Sequence, residues 1–138
     1  MGVSQPVPTA FNTLTREEFV GAAARLAGSV YDFHARFDIP NINDKTPADD
    51  VFPRLCTRLA FLMEETGEHA RELNQGCLDR AADEMADVAF VALGTLLELD
   101  TSGAKACLAI ANKNDKKTLQ THMVEPSSGK LVRRAQTQ

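Results

Sequence analysis

Met85-Ala86-Asp87-Val88-Ala89-Phe90-Val91-Ala92-Leu93 is an apolar run broken by one carboxylate. A helix that is apolar almost all round is either the central element of a bundle or an oligomer contact. The run therefore predicts a central helix over 79–99 in an all-α protein. An Asp flanked by this much hydrophobic surface is expected to be largely buried, and a buried, unpaired carboxylate either costs several kcal/mol or neutralises itself. Glu84 stands three residues before it (ExxD), and Glu64, Glu65 and Glu68 form EExxE one helix earlier. Clustered carboxylate oxygens suit hard divalent ions, so the first expectation is a Mg²⁺ (or Mn²⁺) site built on helices.

The flanking sequence reads as helix as well. Thr15 and Glu18 make a capping-box pattern, and Phe19, Ala22, Ala23, Leu26, Val30, Phe33 and Phe37 recur at helical spacing, predicting a helix over 16–37. Residues 38–48 form a turn-rich loop. A second helix is expected from Asp49 or Asp50 to Leu73, with Pro53 in its first turn, a buried stripe of Leu55, Leu59, Leu62 and Met63, and Asn74-Gln75-Gly76 as its stop. Asp79 can cap the third helix, and Thr101 or Ser102 a fourth that runs to about Lys116. Residues 1–14 and 118–138 read as loop or tail. The expectation is one domain over 1–138, a four- to five-helix bundle without internal repeats.

On a helix, residues three or four apart share a face. Glu64, Glu65 and Glu68 therefore point two or three carboxylates one way, and Glu84 and Asp87 do the same. The connection around Gly76 is short, so the two helices are expected to be antiparallel, with Glu68 and Glu84 about equally far from the turn. By themselves, Glu64, Glu65, Glu68 and Glu72 read rather as a solvated face beside Arg71; Asp87 in its apolar run and the matching height turn the reading to convergence on a cation. Neither His34 nor His69 has a histidine four residues on, which argues against zinc. His69 points away from Glu68 and reads as a surface or structural residue, whereas His34 is a candidate to line the site from the first helix.

Composition sets limits on function. The 138 residues are 43% hydrophobic and 25% charged, with no apolar run of the roughly 18 residues that a membrane span needs. The N-terminal Met-Gly-Val-Ser-Gln-Pro lacks the features of an export signal. Cys56, Cys77 and Cys107 are isolated and read as buried reduced thiols, which implies a cytoplasmic setting. The net charge of −4 argues against a general nucleic-acid binder. Residues 1–112 carry nine Lys or Arg against seventeen Asp or Glu, and residues 113–138 carry six against two. An acidic middle followed by a basic tail suits a small polyanion; a solvated tail has the same pattern.

EExxE followed by ExxD on two helices resembles the MazG-like nucleoside triphosphate pyrophosphohydrolases, and all-α dUTPases and phosphoribosyl-ATP pyrophosphohydrolases share the general pattern. Phe33-His34, Ala111-Asn112 with lysines after it, and Gly129-Lys130 are similar to further family features. Asp115 is a departure, standing where one branch has a lysine three residues after the Asn; here Lys116 follows one later and Lys113 comes earlier. The resemblance implies Mg²⁺-dependent hydrolysis of a nucleoside triphosphate between its α and β phosphates. It also implies homodimers or homotetramers whose sites a neighbouring subunit can complete. Glu65, Glu68, Glu84 and Asp87 would hold metal, and Glu64 would be a further ligand or the base that orients water. Asn112, Lys113, Lys116, Lys130 and His34 would meet substrate. Nucleotide housecleaning ranks ahead of phosphoribosyl-ATP hydrolysis, because the lead-in, Asn112 and Gly129-Lys130 look more like that branch. A non-catalytic helical oligomerisation or nucleotide-sensing module is the reading from outside the enzymes.

Overall fold

Each helix boundary follows from what the local residues offer the backbone. The structure, a computed structural model, describes residues 13–135; the rest of the lead-in and the last three residues lie outside that range. Helix α1 (Arg16–Arg36) opens on the expected capping box: the Thr15 side chain accepts from the Glu18 amide at 3.1 Å, and Glu18 Oε2 accepts from the Thr15 amide at 2.8 Å. Helix α2 (Ala48–Asn74) begins right after Pro47, with Asp49 and Asp50 in its first turn where the helix dipole favours acids. Pro53 is the sixth residue of the helix, so it falls in the second turn rather than the first.

Gly76 ends α2 as expected. Its φ of 69° is a left-handed conformation that a side chain would strain. The Cys77 amide donates to Glu72 O at 3.1 Å and the Gly76 amide to Leu73 O at 3.0 Å, a Schellman closure that folds helix α3 (Leu78–Glu98) back along α2. Asp79 does not cap α3. The N-cap is Cys77, without a side-chain bond, and Asp79 lies inside the first turn. Helix α4 (Thr101–Asp115) follows after only two residues, with Asp100 at φ 57° as its N-cap, so Thr101 and Ser102 are already helical and cap nothing. The crossing is tight enough that a Cβ on Gly103 would lie 1.8 Å from Leu96 O; only glycine fits there.

Helix α3 is central, as its apolar run predicts. It packs most extensively on α2 and also touches α1 and α4, whereas α1 and α2 do not pack on each other among the described residues. The fold is all-α apart from a small antiparallel hairpin, β1 (His122–Val124) with β2 (Leu131–Arg133), in which Met123 pairs with Val132. That hairpin interrupts the tail expected to be loop, and it touches no helix. No described helix is long and apolar enough to cross a membrane.

The protomer buries little apolar surface. Among the described residues only Val30 and Ala81 are fully buried hydrophobics, while Phe52 is 75% exposed and Leu108 67%. Leu59 and Met63, expected in the buried stripe of α2, are exposed. The thiols correct the sequence reading: Cys56 and Cys107 are exposed and Cys77 is half-buried, because their helix faces have nothing packed over them. Beyond Gly103, α4 is exposed along its whole length.

Candidate metal centre

The Schellman turn brings the two acidic motifs together. Glu65 of α2 and Glu84 and Asp87 of α3 each present an oxygen, all within 4.8 Å of one another. Glu68, half-buried one turn beyond Glu65 on α2, stands close enough to act on the Glu84 carboxyl. Glu64, on the exposed side of α2, is near enough to act electrostatically on Glu65. Burial raises the Glu65 carboxyl above its ordinary value, and the charges of Asp87, Glu68, Glu64 and Glu84 raise it further. Glu84 is also raised, by burial first and then by Glu68 and Asp87, with Arg71 opposing. Mutual repulsion that one exposed arginine offsets only at Glu84 is what a carboxylate set for a divalent ion should show. The donor set, all carboxylate oxygen on two rigid helices, fits Mg²⁺ or Mn²⁺.

Asp87 is exposed, which corrects the expectation that its apolar neighbours bury it. Residues adjacent in a helical sequence point about 100° apart, so Ala86 and Val88 do not share the face of Asp87. Glu84 and Asp83 do, and that face is acidic.

The other predicted residues lie elsewhere. His69 is structural, its Nδ1 2.7 Å from Ala81 O. Glu72 is buried, with Arg80 Nε at 2.8 Å and Arg71 Nε at 3.7 Å, rather than on a solvated face. His34 is 4% exposed and stands beside Gly94, two turns along α3 from Asp87, with no partner for Nδ1. Burial chiefly, with Arg58 adding, lowers its pKa against the opposing pull of Glu98. Phe33 meets Phe37, the C-cap of α1, at a tilted 4.7 Å and Phe90 edge-on at 5.5 Å, yet Phe33 and Phe37 are exposed rather than in a core. Asn112 and Lys113 lie near the end of α4 and Lys116 caps it; Lys130 closes the hairpin turn. All four are exposed, and none of these lysines pairs with the clustered acids among the described residues.

One constellation escaped the sequence reading. Glu98, 4% exposed, pairs with Arg54 at 3.4 Å and Arg58 at 3.5 Å. The signal existed: Leu96-Leu97-Glu98-Leu99 is a carboxylate among leucines, and Arg54 and Arg58 share a face at i,i+4.

A family model described as phosphoribosyl-ATP pyrophosphohydrolase matches residues 30–114, which include every acid of the cluster. No curated protein and no solved structure matches the chain.

Proposed function

The chain belongs to the phosphoribosyl-ATP pyrophosphohydrolase family, within the all-α nucleoside triphosphate pyrophosphatase superfamily and acting on phosphoric anhydride bonds; from that premise we propose a Mg²⁺-dependent hydrolase that splits a nucleotide triphosphate between its α and β phosphates. The observation that carries this reading is the approach of Glu65, Glu84 and Asp87 to within 4.8 Å across two helices. Glu65, Glu68, Glu84 and Asp87 hold the cation, and Mn²⁺ can replace Mg²⁺. A divalent ion bound there neutralises phosphate charge and lowers the pKa of a water. Glu64, exposed beside the cluster, orients the attacking water and takes its proton. The water oxygen forms a bond to the α phosphorus, the α–β bridging bond breaks, and pyrophosphate leaves with the bridging oxygen. Asn112, Lys113, Lys116 and Lys130 meet phosphate or sugar, and His34 shapes the wall toward the base.

The family description favours a second substrate reading, phosphoribosyl-ATP itself, whose triphosphate offers the same scissile bond. One assay separates the two: pyrophosphate release with Mg²⁺ from phosphoribosyl-ATP and from a panel of ribo- and deoxyribonucleoside triphosphates. Release from the panel but not from phosphoribosyl-ATP identifies the housecleaning enzyme, and the reverse identifies the biosynthetic one. No release from any of them defeats the catalytic reading.

The active form in this proposal is a homodimer or homotetramer. Leaving a large apolar side chain exposed forfeits about 1.5–3 kcal/mol. Phe19, Tyr31, Phe52, Phe61 and Leu108 stand 44–75% exposed, and what they leave unburied is a large share of the roughly 5–15 kcal/mol stability of a whole domain. A second copy covers such faces on α1, α2 and α4. Sedimentation of the folded chain as a monomer removes this part of the proposal.

A further inference from the structure

The five acids sit together across the α2–α3 seam, where their repulsion works against helix packing, and the seam carries polar ties on both sides of them. One end is tied by the chain itself, through the Schellman turn at Gly76 and the His69–Ala81 bond. The other tie lies two turns beyond Glu65. The Arg58 guanidinium crosses from α2 to α3, donating from Nε to Thr95 Oγ1 at 3.1 Å and from Nη2 to Val91 O at 2.7 Å, while Nη1 faces Glu98 at 3.5 Å. Its side chain is 12% exposed and lies over Gly94, where a Cβ would come within 2.5 Å of Nη2 and 2.9 Å of His34 Nε2.

We infer that Arg58 is a positioning residue for the acid cluster, holding α2 against α3 so that Glu65, Glu84 and Asp87 stay at cation-binding separation before any cation arrives. The inference rests on the cluster being the cation site proposed above. The register makes the linkage direct. Arg58 precedes Glu65 by seven residues, two turns along one face of α2, and its acceptor Val91 follows Asp87 by one turn on α3. A slide or rotation at the guanidinium is carried by stiff helices to the carboxylates. Lysine cannot replace it, because one ammonium does not span Thr95, Val91 and Glu98 with a planar fork. Arg54 differs: it ties Glu98 to the 37–47 loop through Pro40 O and makes no bond to the middle of α3.

The test is Mn²⁺ binding to the full chain, followed by calorimetry well below every variant's melting temperature. Arg58→Lys and Gly94→Ala, which displaces the guanidinium from the α3 side without changing charge, should each weaken Mn²⁺ binding about tenfold. Arg54→Gln should leave Mn²⁺ affinity unchanged even where it lowers the melting temperature, as a purely structural ion pair would. Wild-type affinity in folded Arg58→Lys and Gly94→Ala overturns the inference and leaves the metal site standing. If the wild-type chain binds no Mn²⁺, the metal reading fails and takes this inference with it.

Discussion

The middle of α3 and its C-terminal end use the same chemical group in opposite ways. Around Asp87, carboxylates that are half-buried or exposed crowd together, and the charge of their neighbours adds to burial in raising Glu65 and Glu84, with Arg71 opposing at Glu84. At the Glu98 end, one carboxylate is buried and paired with two arginines. The first arrangement leaves charge uncompensated and open to solvent, as the proposed cation site requires; the second places charge inside the fold and neutralises it there. Whether an acid serves chemistry or architecture is therefore decided by what the facing helix presents to it, Glu65 and Glu68 in one case and Arg54 and Arg58 in the other.

The contrast breaks most visibly at Asp87. Asp87→Asn should lower pyrophosphate release about a thousandfold, or about 4 kcal/mol of barrier, by removing a ligand from the set. The same change should raise the melting temperature of the metal-free protein, since it relieves repulsion. A melting temperature that falls would mean that Asp87 is structural, like Glu98.

Glu98→Gln tests the other end. Two arginines left facing a neutral amide should cost about 2–3 kcal/mol of stability, less than a fully buried pair because Arg54 keeps some solvent. Urea unfolding measures this, and an unchanged midpoint would make Glu98 incidental.

The smallest expected effect concerns pH, and its sign differs between the acid cluster and His34. Glu65 and Glu84, with raised pKa values, bind protons more tightly folded than unfolded. Their repulsion is lost as pH falls through those raised values toward the ordinary 4.5, so they make the metal-free protein more stable in acid. His34, with a lowered pKa, is held neutral in the fold while the unfolded chain takes up a proton near 6.5, so it makes the protein less stable as pH falls below that point. Melting temperature should therefore fall as pH drops below 6.5 and recover in more acid solution as Glu65 and Glu84 take up protons, and His34→Gln should remove this dip. A dip that persists in His34→Gln would assign it to another group.

Much of the fold was legible in residue spacing. The Thr15 and Glu18 box, the Gly76 stop and the apolar run of α3 each act within a few residues, and local geometry decides them. The pairing of EExxE with ExxD was legible for the same reason, since a short turn leaves few ways to lay one helix against the next. The caps on α3 and α4 were misread because the chain turns in two or three residues, leaving Asp79, Thr101 and Ser102 inside the helices they were expected to begin. The hairpin in the tail is only three residues per strand, too short for alternation to mark it.

The sequence by itself determined four helices, their order and the convergence of two acidic motifs, because these depend on contacts between near neighbours along the chain. Only the tertiary structure decided that Asp87 is open to solvent while Glu98 is enclosed, that His34 sits against Gly94, and that Arg58 spans the seam. Those outcomes rest on side chains up to 60 residues apart in sequence meeting across helices, and one chain's local periodicity carries no information about which face meets which.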